Sequence, residues 1–145
     1  MFNADLSKWD VSRATKMAGT FQHASSFNGD VSKWVVSKAK DMAAMFSSAS
    51  SFNGDISKWD VSSVTEMACM FCLASSFNCG ISKWDVSSVQ SMEEMFSGAS
   101  SFEQTLCGAW LTSMATKNTM FEGSSGRICT AQNIVLSTRL GMIWV

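Results

Sequence analysis

Three cysteines lie close together along the chain: Cys69 and Cys72 as a C-x-x-C, with Cys79 seven residues further on. Thiolates so spaced can act as a redox pair or as soft ligands for a metal ion. There is no second C-x-x-C, and five cysteines make an odd count with no per-unit pattern, which favours incidental surface thiols and no disulfide-stapled scaffold. Asp5, Asp30 and Asp55 recur at intervals of 25 residues. Acids repeated in a turn are how calcium-binding β-rolls hold ions between coils. The column lapses at Gly80 and Thr105 and the glycine-rich nonapeptide is missing, which favours a solvated turn or local side-chain bonding. Lys8, Lys33, Lys58 and Lys83 alternate with Asp10, Asp60 and Asp85, Val35 interrupting the acids. Such columns screen each other as a solvated face, or they form a polar docking surface for a partner. Rows of serine (Ser7, Ser32, Ser57, Ser82 and Ser12, Ser37, Ser62, Ser87) raise ice binding, although no threonine row accompanies them. His23 is the single histidine and has no partner suited to acid–base work. No phosphate-cradling glycine loop or nucleophile elbow occurs, so no catalytic residue and no cofactor is expected.

What positions these side chains is repetition. Tryptophan falls at Trp9, Trp34, Trp59 and Trp84, a constant step of 25. All ten phenylalanines occupy two repeat positions: Phe2, Phe27, Phe52, Phe77, Phe102 and Phe21, Phe46, Phe71, Phe96, Phe121. Eight of the eleven methionines fill two more, among them Met67 and Met92. Residues 52–76 and 77–101 are identical at 17 of 25 positions. The units are therefore 2–26, 27–51, 52–76 and 77–101, a degenerate capping unit 102–126, and a remainder, 127–145, that fits no repeat. That remainder is expected to fold over the last unit through its apolar stretch from Ile134 to Val145. In the capping unit the tryptophan is displaced by one to Trp110, while Phe102, Leu106, Met114, Met120 and Phe121 keep the apolar pattern.

Within unit three, Val64, Met67, Met70, Phe71 and Ala74 have the spacing of one helix face, and Ser63 with Glu66 has that of a capping box. From Ile56 to Val61, Trp59 and Val61 alternate with Lys58 and Asp60, the period of a strand. One short strand and one short helix per unit cannot bury their apolar faces alone, so the units must stack. The expected core comprises columns of Phe27, Trp34, Phe46, Phe52, Trp59, Met67, Phe71, Phe77, Trp84, Met92 and Phe96. Asn3, Asn28, Asn53 and Asn78 form a further column, expected to be buried and structural because a buried amide must be hydrogen-bonded to its own turn or its neighbour's.

Composition sets the outer bounds. Of 145 residues 46% are hydrophobic and 16% charged, which excludes a disordered chain. A formal net charge of -1 gives no general attraction to nucleic acid. Units one and two carry a formal +2 and units three and four a formal -4. No apolar run reaches the roughly 18 residues of a transmembrane helix. The start, Met1-Phe2-Asn3-Ala4-Asp5, lacks the basic and apolar stretches of a signal peptide, which leaves a cytosolic protein or a piece of a longer one.

The string Phe52-Asn53-Gly54-Asp55-Ile56-Ser57-Lys58-Trp59-Asp60-Val61-Ser62-Ser63-Val64-Thr65-Glu66-Met67, followed by Met70-Phe71 and Ala74-Ser75, resembles the BspA-like, DUF285-type surface-protein repeat. The resemblance runs from residue 2 to about 121. It implies a leucine-rich-repeat-like solenoid, a surface or secreted location, and adhesion or protein binding; it brings no catalytic residues. The fold class expected is thus α/β, a right-handed leucine-rich-repeat-like solenoid with one short parallel strand and one short helix per 25-residue coil. The expected function is a noncatalytic interaction or structural module for a protein partner, a second copy joined head to tail being the specific case. A calcium-dependent or ice-binding solenoid is the alternative.

Overall fold

Every buried backbone N–H and C=O needs a partner, and in this chain many of the partners lie one unit away. In the computed structural model, which describes residues 1–130, parallel bridges join Lys16 to Asp41, Asp41 to Glu66, Glu66 to Ser91 and Ser91 to Thr116. Each bridge spans 25 residues, so successive units lie against one another in register. The other regular elements among the described residues belong to the last unit and its sequel: β1 (Thr105–Leu106), α1 (Ala109–Thr112) and β2 (Arg127–Ile128). β1 and β2 pair in parallel.

The segment from Val64 to Ala74 is not the expected helix but a chain of overlapping turns. Met70, Cys72 and Ala74 donate to the carbonyls three residues back, those of Met67, Cys69 and Phe71. The amides between them, of Met67, Cys69, Phe71 and Leu73, donate to Ser91, Glu93, Met95 and Ser97 of the next unit at 2.7 to 3.0 Å. Glu66 is a bridge residue between Asp41 and Ser91, not a cap. A lone helix of this length is marginal in water, whereas the turn chain gives alternate amides a partner in the next unit. It requires a left-handed residue at two positions per unit. Cys69 (φ 55°) and Leu73 (φ 57°) take it here, as do Ala44 and Ser48, and Glu94 and Gly98. The expected inward residues are nonetheless inward: Val64, Met67, Met70, Phe71 and Ala74 are all fully buried.

The expected strand Ile56–Val61 is likewise two turns. Trp59 N–H donates to Ile56 C=O and Val64 N–H to Val61 C=O. Asp55 accepts from Ser57 N–H and Asp60 from Ser62 N–H, wrapping the chain on either side of Trp59. The alternation survives: Trp59 and Val61 are buried, Lys58 and Asp60 exposed.

The core is a set of aromatic columns. Phe27, Phe52, Phe77 and Phe102 follow one another with ring centroids 5.8 to 6.1 Å apart. Phe46, Phe71 and Phe96 repeat at 5.6 Å, and each meets the phenylalanine that opens the next unit at 3.8 to 4.0 Å. Trp34 and Trp59 lie parallel, 6.5 Å apart. Met67, Met92 and Trp84 complete the expected core set, all buried.

Unit five shifts its register by one residue and then recovers it. Trp110, one place late, is fully buried and packs 6.4 Å from Trp84, and α1 accommodates the extra residue. The shift ejects Met114, which is 96% exposed, and Ala115 is buried in its place. By Thr116 the bridge to Ser91 restores the 25-residue step. The fold-over expected of residues 131–145 lies outside the described residues.

Candidate functional site

Each buried tryptophan is an amphipathic side chain whose indole N–H must find an acceptor. Trp34, Trp59, Trp84 and Trp110 donate to the carbonyls of Leu6, Val31, Ile56 and Ile81, one unit back, at 3.0 to 3.1 Å. The asparagine column works in the same direction. The side-chain oxygens of Asn3, Asn28 and Asn53 accept the backbone N–H of Asn28, Asn53 and Asn78 at 2.9 to 3.0 Å. Asn78 does the same for Glu103 and also takes a bond from the Gln104 amide. These asparagines are not buried as expected: Asn3, Asn28 and Asn53 are exposed and Asn78 half-buried. Their fixed register comes from inter-unit bonding at the surface.

This one-way pattern leaves the two ends unlike. In unit one Trp9 is 62% exposed and Phe2 49%, beside a fully exposed Met1. At the other end Leu106 C=O, the counterpart of those tryptophan acceptors, accepts Cys129 N–H at 2.8 Å, and Gln104 C=O accepts Arg127 N–H at 3.1 Å. A disulfide between Cys107 and Cys129, Cα atoms 5.0 Å apart, fastens β2 there. This corrects the expectation that no disulfide staples the scaffold. The signal was present in the spacing, since residues 22 apart are nearly one unit apart and come to lie side by side.

The expected docking residues Lys8, Lys33, Lys58 and Lys83 are all exposed, as are Asp10, Asp60 and Asp85. The acids are committed locally: Asp10, Asp60 and Asp85 accept Ser12, Ser62 and Ser87 N–H. Asp5, Asp30 and Asp55 hold Ser7, Ser32 and Ser57 in the same way. All six carboxyls are held below the usual carboxylate value, first by the serine hydroxyl and then by its backbone N–H. The column Asp5, Asp30, Asp55 does not converge on a common point among the described residues. A depression of about 360 Å³ between units four and five is lined by Lys83, Asp85 and Thr105 with Cys107 and Gly108.

The three neighbouring cysteines divide. Cys79 lies 3.9 Å from Asp55, apart from the other two. Cys69 and Cys72 instead meet Glu94, their ligand atoms all within 4.8 Å of one another. Both thiols are partly covered, and burial, then the adjacent sulfur or Glu94, pushes their pKa values up. The carboxylate was missed because Glu94 is far along the chain; it stacks over Cys69 only through the 25-residue step.

No helix among the described residues is long and apolar enough to cross a membrane. No curated protein and no solved structure matches the chain. Residues 1–60 and 33–132 match a family described as "Mycoplasma protein of unknown function, DUF285". The matched residues carry the tryptophan, phenylalanine and asparagine columns and their inter-unit bonds, and the chain belongs to the DUF285 family.

Proposed function

We propose that the chain is a noncatalytic protein-interaction and structural module, built as a right-handed leucine-rich-repeat-like solenoid, whose docking surface is centred on the exposed Trp9 and Phe2 of unit one. The single observation that carries this is Trp9. Its counterparts in the next three units are buried and bond a carbonyl of the unit before them, while Trp9 is 62% exposed. Trp9 and Phe2 present the ends of aromatic columns that elsewhere in the chain are covered by rings of the same kind. A tryptophan and a phenylalanine exposed on the same unit favour association.

The occupant of this face is a second copy of the chain, which offers the same rings. At the other end β2 lies along unit five, with Leu106 C=O accepting Cys129 N–H and Gln104 C=O accepting Arg127 N–H, so that end is already occupied by a segment of the same chain. Like faces therefore meet in a two-fold pair that stops at two chains. The Cys107–Cys129 disulfide supports an oxidising compartment, in keeping with a surface or secreted location. The test is sedimentation velocity across a wide concentration range, with Trp9→Arg beside the parent chain. The expected result is a concentration-dependent dimer that Trp9→Arg returns to monomer with unchanged circular dichroism. Strict monomer at every concentration, or an open-ended series of oligomers, overturns the reading.

A further inference from the structure

Cys69 and Cys72 stand where units one and two carry Gly19, Ala44 and Gln22, Ser47, and Glu94 stands one unit above Cys69. Copying the unit does not account for that combination. The backbone braces all three. Cys72 N–H donates to Cys69 C=O at 3.0 Å, and Cys69 N–H donates to Glu93 C=O at 2.8 Å, fixing unit three on unit four beside the cluster. Cys69 and Glu94 share the left-handed conformation, φ 55° and 54°, so their side chains leave the chain in the same direction one unit apart. The two sulfurs and a carboxylate oxygen lie within 4.8 Å of one another, close enough to converge on one ion with small side-chain rotations.

We infer that Cys69, Cys72 and Glu94 form a binding site for zinc or a similar thiophilic divalent cation. Two thiolates and a carboxylate are a donor set for a tetrahedral ion of borderline softness, the fourth position falling to water because the cluster is only half-buried. Calcium and magnesium, which require several oxygen ligands, are excluded by the sulfurs. The charged groups acting on Cys69 besides Cys72 are Glu94 and Glu93, a negative field that attracts a dication. Binding replaces the two thiol protons by the metal and releases them to solvent, with no change of oxidation state.

The test uses the full chain, stripped with chelator in thiol-free buffer so that the Cys107–Cys129 disulfide stays intact. Titration with cobalt(II) should give thiolate-to-metal charge-transfer absorption saturating at one ion per chain, and zinc should abolish it by displacement. Zinc should also raise Tm in proportion to the logarithm of its concentration. Cys69→Ala and Cys72→Ser, which restore the residues of unit two, should abolish the band while leaving the circular dichroism unchanged. Glu94→Gln should weaken binding by at least the roughly tenfold that even an outer-shell partner contributes. Cys79→Ser should bind as the parent does. Absence of the band, a band that depends on Cys79, or a Cys69–Cys72 disulfide in the purified protein would each overturn the site.

Discussion

At the scale of the residue, side chains that occupy equivalent places do unequal work. Trp59 bonds Val31 C=O from a buried position, and that carbonyl also accepts Trp34 N–H at 3.1 Å, so Trp59→Phe removes one of its two bonds and should destabilise by about 0.5–1.5 kcal/mol. Trp9→Phe removes an exposed indole and should fall within about 0.5 kcal/mol of the parent. Urea unfolding of both variants below the concentration of association measures the contrast. The left-handed positions differ in the same way. Ala44, at φ 53°, should gain about 1 kcal/mol on replacement by glycine. Gly98→Ala should be destabilising through its φ of +67°, while the Leu73 Cδ2 that the new Cβ would meet at 2.5 Å is the end of an exposed side chain that can turn aside. The Asp–Ser pairs give a pH dependence whose sign follows from their lowered carboxyl values. A folded-state value below the unfolded one contributes stability above the unfolded value, about 3.9, which is lost as pH falls through the lower folded value. Asp60→Asn keeps the oxygen that accepts Ser62 N–H but no longer titrates, so its unfolding midpoint should fall less steeply than the parent's below pH about 4.

At the scale of the element, the inside and outside of each unit were legible and its backbone was not. The offsets 0, 3, 6, 7 and 10 from Val64 correctly mark five core residues, because a hydrophobic pattern reports which side chains are buried and not which hydrogen bonds bury them. A helix and this chain of turns present the same residues inward. What separates them is conformational: Leu73, Glu94 and His23 are poor markers of a positive φ, and only Gly19, Gly98 and Gly123 at equivalent places hint at it. The thiol–carboxylate cluster was half legible for a related reason, its cysteines being local and its glutamate 25 residues away. The alternation of amide destinations has its own signature. In unit three, Met67, Cys69, Phe71 and Leu73 donate across the stack, and Met70, Cys72 and Ala74 within the turn. Hydrogen exchange should give the first set the slower rates, since opening them requires two units to part, while the second set opens by local fraying. Equal protection of the two sets would show that the turns do not open independently of the stack.

At the scale of the whole molecule, the tryptophan and asparagine columns bond one way and the first and fifth units become chemically different, which decides how copies meet. Unit one leaves Trp9 exposed, and beyond unit five β2 lies on Leu106 C=O, the carbonyl that the tryptophan of a further unit would use. The Cys107–Cys129 bond keeps it there by closing a loop of 22 residues. A loop of that size is worth about 3 kcal/mol through the entropy it removes from the open chain. Without the bond, β2 rests on two backbone pairings, Thr105 with Arg127 and Leu106 with Ile128, too few to hold a short edge segment against fraying. The double variant Cys107→Ser, Cys129→Ser should therefore free the Leu106 and Gln104 carbonyls for part of the time. Leu106 C=O is the unit-five counterpart of the carbonyls that accept Trp34, Trp59, Trp84 and Trp110, and Trp9 of a second copy is a donor of the same kind. A contact between unlike ends repeats without closing. Sedimentation of the double variant should accordingly show species larger than a dimer, growing with concentration and suppressed by Trp9→Arg. If it instead stays at the parent's stoichiometry, the shifted turn around Trp110 closes that end without help from the disulfide.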